Sequence, residues 1–353
     1  MSTAVQKTTT PKARPAENDL GFGRFFTDHM LTLQYEPKQG WHEPKVVPYG
    51  PLPMDPAAGV FHYGQALFEG LKAFRAGDGT VNLFRLDEHC ARMARGAPRL
   101  CMPVVEPSLM RSLILDFMRV EQDWVPRAPG TSLYLRPTMI ATEGFLGVRA
   151  SQRYTFFIIA SPVGAYYAGG VKPVRIWVER EHTRAAKGGL GAVKAGANYA
   201  ASLLAASRAK EKGYDQVLWL DAEKHDQVEE VGTMNLFALL GDELVTPPLS
   251  DSILAGVTRN CVLQLAKGYG LKVSERPLAI SELTQSSKSG ALKEVFGSGT
   301  AAVISPVGEL SWTGGSLQVN KGEVGPIAGR LYEEISAIQR GGRPDTHGWL
   351  TKI

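Results

Sequence analysis

Apolar positions recur along the chain with two different periods. From Ser108 to Val120, Leu109, Leu113, Phe117 and Val120 stand three or four apart, which places them on one stripe of a helix. In SLYLRPTMI, Leu133 and Leu135 alternate with Tyr134 and Arg136, so the last two share the opposite face of a strand. A second strand, RYTFFIIAS, follows the loop TEGFLGVRASQ. Upstream, LKAFRA and TVNLFRL flank Gly77-Asp78-Gly79, a hairpin signal, and Asp87 is placed to cap a helix from Glu88 to Arg95. Before them lie the aromatic segment GFGRFFTDHML, from Gly21, and a Gly/Pro-rich stretch from Pro37 to Pro56 that reads as surface wrapping.

Between Tyr166 and Pro173 the pattern breaks into small residues, a candidate linker. PVRIWVE then reads as a strand, Asn198 to Lys212 as a helix, QVLWLD as a strand and VEEVGTMNLFALL as strand, turn and strand. After Pro247-Pro248, a helix is expected with Thr258 as its cap and Gly268 as its stop. Strands near Leu271–Ser274, Glu294–Phe296 and Ala302–Ser305 precede a last helix from Gly325 to Arg340. Strands and helices do not alternate strictly, so two α+β domains are expected rather than one doubly wound sheet. The boundaries read as a disordered segment over 1–20, a small domain over 21–166, a linker over 167–173 and a large domain over 174–353.

Composition narrows the function. The 353 residues carry a net charge of only +4 and no Lys/Arg block, which argues against nucleic acid. The three cysteines, Cys90, Cys101 and Cys261, are widely spaced, as in a reducing compartment. The seven histidines show no metal-ligand spacing, and no apolar run is long enough for a membrane span. The first 16 residues lack acidic residues, as import sequences do, but Pro11 and Pro15 interrupt them. A cytoplasmic protein is the better reading, with mitochondrial import the minor alternative.

Candidate chemistry centres on KGGLGAVKAGANY. Lys194 there is surrounded by glycine and alanine, so the backbone can lie close to a bulky ligand. Alone, it reads first as a surface lysine on a flexible loop; the other reading is a pocket lysine able to form an imine with a carbonyl. Gly256-Val257-Thr258 opens a helix, either a plain capped start or an anion site. Gly297-Ser298-Gly299-Thr300-Ala301 is either an ordinary strand connection or a ring of amides for phosphate or carboxylate. Glu229 and Glu230 lead into an apolar strand and face opposite ways. GGLGAVKAG lacks the ending of a P-loop, which disfavours phosphoryl transfer.

Taken in order, FTDHML, FHYGQALFEGLKAF, SLYLRP, SPVGAYY, KAGANYA, EEVGTMNLF, AGVTR and GSGTAA resemble the fold-type IV (class IV) pyridoxal-phosphate aminotransferases, the branched-chain amino-acid branch most closely. The resemblance runs from about Phe22 to Ser305. It implies the two-domain α+β architecture shared with the D-amino-acid aminotransferases, pyridoxal 5'-phosphate as cofactor, and a homodimer. It implies ping-pong transfer of an amino group between leucine, isoleucine or valine and 2-oxoglutarate, with glutamate and the 2-oxo acids as the other small molecules handled.

By the same resemblance, Lys194 forms the imine with the cofactor and later moves the proton, Tyr199 bonds the phenolic oxygen, and Glu230 faces the pyridine nitrogen. Arg92, Gly256, Val257, Thr258 and Thr300 form the phosphate cup, and Leu254 packs on the ring. Phe22, Tyr63, Phe68, Tyr134, Tyr166 and Thr233 line the substrate pocket, and Val148 reaches the neighbouring subunit's pocket. Arg136 supplies the partner for glutamate's side-chain carboxylate, and the amides at Thr300 and Ala301 hold the α-carboxylate. Glu229 is expected to face solvent, and Arg92, read alone, would be a solvated helix residue. A CxxC pair that some members carry after GSGTA is replaced here by Ala302, Val303, Ile304 and Ser305. Alternatives on the same fold are D-amino-acid and R-amine transaminases and aminodeoxychorismate lyase; from another class, a catalytically silent cofactor-binding protein.

Overall fold

A computed structural model describes residues 2–165 and 170–353. The chain forms two compact units. The first comprises Met1–Tyr166, Lys194–Ala197 and Ala337–Ile353, and the second Tyr167–Val193 and Asn198–Ser336. The expected large domain, 174–353, thus differs in two places: the last seventeen residues and the four from Lys194 group with the first unit. Of the expected linker, 167–169 lie outside the described residues.

The first unit is built on a mostly antiparallel sheet. Its strands run in the order Ala4–Val5, Gly40–Pro48, His29–Glu36, Tyr154–Val163, Ser132–Ala141, Leu71–Arg75, Val81–Phe84 and Leu350–Lys352, with Ala66–Phe68 paired to Ser132–Ala141. Leu133 and Leu135, on the face opposite Tyr134 and Arg136, have no exposed surface. The helix Pro107–Glu121 buries Met110, Leu113, Ile114, Phe117 and Met118; of the expected stripe Leu113 and Phe117 are core, while Leu109 and Val120 are half-buried. The helix after the hairpin spans Leu86–Gly96 and is capped by Arg85, in a left-handed conformation (φ 55°), so Asp87 is not its cap. Asp87 instead accepts from Arg111 Nε at 2.9 Å.

The expected disorder over 1–20 is not what the structure shows for residues 2–20. Ala4 and Val5 pair in parallel with Lys45 and Val46. The Thr8 amide donates to His29 Nε2 at 2.8 Å, the Lys12 amide donates to Asp28 Oδ1 at 2.7 Å, and Leu20 is buried. An open strand edge is available there, and polar composition alone does not reveal that a segment will satisfy it.

In the second unit the strand order is Val228–Val231, Gln216–Leu220, Val174–Val178, Val303–Trp312, Leu292–Gly299, Met234–Leu240, Glu243–Thr246 and Lys272–Glu275, with Gly315–Gln318 on Val303–Trp312. Val228–Val231 also pairs with Met234–Leu240, which closes six strands into a ring and removes their free edges. Inside lies a core of Ile176, Leu218, Val231, Leu236, Val295 and Leu310 with their neighbours. The helix Val257–Gly268 starts one residue before the expected cap. Gly256 is its N-cap and provides no side-chain acceptor, while Thr258 lies in the first turn. The final helix, Pro326–Gln339, is started by Glu294, which accepts from the amides of Ile327 and Ala328 at 2.9 Å each.

Candidate active site

In the first unit, the short strand Ala66–Phe68 positions the lysine. The Phe68 amide donates to the Lys194 carbonyl at 3.1 Å, and Ala195 bridges Leu67. Lys194 Nζ consequently lies 4.8 Å from the centre of the Phe68 ring. The Arg136 guanidinium approaches the same ring at 4.6 Å and the Tyr134 ring at 5.2 Å, and its Nη2 donates to the Tyr134 hydroxyl at 3.0 Å. Shared-face alternation on Ser132–Ala141 is what allows that bond. Phe22 meets Tyr134 edge-on at 5.0 Å. An amine, an aromatic wall and a guanidinium are thereby gathered in one place.

Gly70 explains how Tyr134 lies so close to the sheet. A Cβ at that position would fall 1.8 Å from the Tyr134 hydroxyl. The phenol therefore occupies the space that any other residue's side chain would need.

Next to Phe68, Glu69 is fully buried and holds Arg92 side-on, with Nε to Oε1 at 2.7 Å and Nη2 to Oε2 at 2.8 Å. His89 Nδ1 also meets Oε2, at 2.8 Å. Burial by itself would raise the Glu69 pKa; the Arg92 charge and the hydrogen bonds from Arg92 and His89 overcome it and hold the carboxyl well below its ordinary range. Burial keeps His89 below the ordinary histidine value despite Glu69, with the positive charges of Arg92 and Lys194 acting in the same direction. Arg92 is thus buried rather than a solvated helix residue. A signal was present in the sequence: His89 and Arg92 fall on the same face of their helix as Leu86, Cys90 and Met93. For Glu69 no sequence signal was available.

Tyr63 and Val148 belong to a more exposed part of this unit. The Tyr63 hydroxyl donates to the Leu146 carbonyl, and Val148 is 87% exposed, beside exposed Phe145 and Leu146. Tyr166 lies outside the described residues.

In the second unit, Glu230 is buried on the strand Val228–Val231. Its Oε1 accepts from the Leu254 amide at 3.0 Å and from Asn235 Nδ2 at 3.1 Å, and Oε2 lies 2.8 Å from Arg184 Nε. Asn235 also donates to the Leu254 carbonyl at 2.8 Å. Leu254 is therefore held directly at the carboxylate, and two residues on, Gly256 leads into the helix that starts with Val257 and Thr258. Such a start presents backbone N–H groups and the positive end of the helix dipole to an anion.

Asn235 pairs with Ser298 across the sheet, so both side chains lie on one face. Ser298 Oγ is buried and has no hydrogen-bond partner among the described residues. Thr300 and Ala301 follow at the end of that strand, and the Thr233 carbonyl is 3.9 Å from where a Cβ of Gly299 would be. Tyr199 is half-buried in the first turn of Gly196–Glu211. Asn198, in the same turn, donates to the carbonyls of Leu190 at 2.7 Å and Val193 at 2.8 Å, fixing the loop that leads to the lysine.

One expectation fails here. Glu229 does face away from Glu230, yet it is buried and accepts from Ser252 Oγ. Both carboxylates of that strand are covered, Glu229 by Ser252 and Glu230 by Leu254, Asn235 and Arg184, so alternation does not send every second residue to water. Burial raises the Glu229 pKa above its ordinary value.

Each unit by itself offers groups that suit part of a flat anionic aldehyde with a ring nitrogen: the first an amine and a buried guanidinium, the second a buried carboxylate, a helix start without a side-chain cap and an orphaned serine hydroxyl.

Residues 66–310 match the family model described as amino-transferase class IV. The chain is 51% identical over 349 residues to branched-chain-amino-acid aminotransferase 2 of Bacillus subtilis strain 168, covering 99% of this chain and 96% of that relative. Among solved structures it is similar to the branched-chain amino acid aminotransferase of Escherichia coli, with a TM-score of 0.74 at 30% identity, covering 86% of this chain and 95% of that one. It is also similar to the branched-chain aminotransferase of the thermophilic archaeon Thermoproteus uzoniensis, solved with norvaline, with a TM-score of 0.75 at 26% identity and coverage of 92% and 99%.

Proposed function

The chain belongs to the class IV aminotransferase family, and on that premise we propose that it transfers amino groups between branched-chain L-amino acids and 2-oxoglutarate, with pyridoxal 5'-phosphate as cofactor. The observation that carries the substrate class is the placement of the Lys194 amine and the Arg136 guanidinium against one aromatic ring, Phe68. Phe22, Phe68 and Tyr134 suit an aliphatic side chain; Arg136 suits glutamate's second carboxylate, and between turnovers it rests on the aromatic faces.

When bound, the cofactor supplies an electron sink for the carbanion formed at the substrate's Cα. Lys194 would hold it and, once freed as an amine, would move the proton between the substrate's Cα and the cofactor's C4′ carbon. Glu230 keeps the ring nitrogen protonated, Leu254 packs on the ring, and Tyr199 bonds the phenolic oxygen. Arg92, Gly256, Val257, Thr258 and Thr300 take the phosphate. The amides at Thr300 and Ala301 take the α-carboxylate, with Tyr63, Tyr166 and Thr233 around the substrate.

We place the enzyme in the cytoplasm as a homodimer in which Val148 serves the neighbouring pocket. Support for the dimer comes from the exposed apolar loop of Phe145, Leu146 and Val148, and sedimentation equilibrium, which should read twice the chain mass, tests it. No helix among the described residues is long and apolar enough to cross a membrane.

The test is an absorption spectrum of the cofactor-loaded protein before and after substrate. L-Leucine should convert the visible band, and 2-oxoglutarate should restore it. Conversion by D-alanine and not by L-leucine would reject the substrate class, and a protein that takes up no cofactor would reject the reaction.

A further inference from the structure

Arg184 lies in an irregular segment to which neither the sequence nor the proposed reaction assigns a task. Its side chain is 9% exposed and touches three separate parts of the second unit. Nε stands 2.8 Å from Glu230 Oε2, an electrostatic contact rather than an aligned hydrogen bond. Nη2 donates to the Gly191 carbonyl at 3.2 Å and to the Ser252 carbonyl at 2.5 Å.

Each of the three partners precedes or is a residue that transamination needs. Gly191 is three residues before Lys194, Ser252 is two before Leu254, and Glu230 is the carboxylate for the ring nitrogen. The loop and the Ser252 segment are also pressed together. The Ala192 amide donates to the Asp251 carbonyl at 2.8 Å, and a Cβ on Gly191 would lie 2.4 Å from Ser252 Cα and from its carbonyl oxygen. Contact that close makes the position of Gly191 depend on that of Ser252, and Arg184 holds both carbonyls while it faces the carboxylate.

We propose that Arg184 is a positioning residue: it orients the Glu230 carboxylate and sets the lysine loop and the Leu254 segment in register with it. This rests on the transaminase reading above. The geometry suits arginine specifically. Two carbonyls and a carboxylate, approached from different directions, need several donors on one rigid plane, and an ammonium supplies a single point of charge. Ion pairing also matters, since Glu230 is buried and a guanidinium beside it favours the charged carboxylate that a protonated ring nitrogen requires.

The experiment compares wild type, Arg184→Gln, Arg184→Lys, Glu230→Gln and the Arg184→Gln/Glu230→Gln double variant, each stripped of cofactor and titrated with pyridoxal 5'-phosphate. Three quantities are read: the dissociation constant, the pH midpoint of the visible absorption band, and the thermal midpoint of the apoprotein. Arg184→Gln should weaken cofactor binding about 10- to 100-fold, the loss expected for one or two hydrogen bonds of a charged group, and should move the pH midpoint. Arg184→Lys should restore the thermal midpoint and leave most of the binding defect. In the Glu230→Gln background, the effect of Arg184→Gln on the pH midpoint should vanish, because the carboxylate through which it acts is gone.

A residue that only supports the fold would lower the thermal midpoint equally in both backgrounds and leave the pH midpoint alone; that result overturns the proposal. So does unchanged cofactor affinity in Arg184→Gln. If Arg184→Gln does not fold, Arg184→Lys decides by the same two readings. Failure of the wild type itself to bind cofactor would instead strike the transaminase reading, so the two failures are distinguishable.

Discussion

Replacing Glu69 by glutamine keeps the volume of a fully buried side chain and removes its charge, so no cavity complicates the outcome. What remains is the Arg92 guanidinium, itself buried, without the carboxylate that accepts from Nε and Nη2. One amide oxygen cannot replace two, and the amide's own N–H groups would face the donors of Arg92 and His89. Breaking a buried pair from one side costs about 3–5 kcal/mol. With a urea m-value near ~3 kcal/mol/M, the unfolding midpoint of the first unit should fall by about 1–2 M.

The pH dependence follows from the depressed pKa of Glu69. A carboxyl whose folded value lies below its ordinary 4.5 contributes stability that is fully present above pH 4.5 and is lost as the pH falls through the folded value. The gap between wild type and Glu69→Gln should hold steady from neutral pH down to about 4.5, then narrow by about 1.4 kcal/mol per pH unit. Urea unfolding of the apoprotein by circular dichroism at pH 7, 5 and 3.5 measures it. A gap below about 1 kcal/mol at pH 7, or one that does not narrow in acid, would refute the view of Glu69 as a charged clamp on Arg92.

Lys194→Ala should abolish turnover and the visible cofactor band; measurable transamination by this variant would end the assignment. Arg136→Ala should lower kcat/KM for glutamate about 10- to 100-fold, the loss of one charged contact, while changing leucine less than about 3-fold. Equal damage in the two half-reactions would remove Arg136 from carboxylate recognition. Gly70→Ala puts a methyl group where the Tyr134 hydroxyl stands, 1.8 Å away, so the ring must swing and release Arg136. Its KM for glutamate should rise about 10-fold at a stability cost of about 1–3 kcal/mol, seen by steady-state kinetics and thermal melting.

Local pattern was enough for the helix Pro107–Glu121, the hairpin around Asp78, the strand pair Ser132–Ala141 and Tyr154–Val163, and the turn between Val231 and Met234. In these, neighbours in sequence are also neighbours in space, so a period of two or 3.6 carries the answer. The shared face of Tyr134 and Arg136 is of this kind. Motif order singled out Lys194 and Glu230, each within a short distinctive segment, but put the helix cap at Thr258, two residues past the observed Gly256.

What tertiary structure alone decided depends on chain segments far apart in sequence. The return of Leu350–Lys352 to Val81–Phe84, the pairing of Ala4–Val5 with Gly40–Pro48, and the closing of six strands into a ring join residues whose local patterns say nothing about one another. Glu229 was buried against expectation by the packing of Ser252, 23 residues away in the chain. The charged groups behave likewise. Glu69 and Arg92 are 23 residues apart and Arg184 stands 46 before Glu230, yet each pair is in direct contact. Composition and periodicity register how many charges a chain has and which local face they share. Whether a charge is buried, and against which partner, is settled only when the chain folds, because the desolvation that makes the pairing necessary exists only in the folded state.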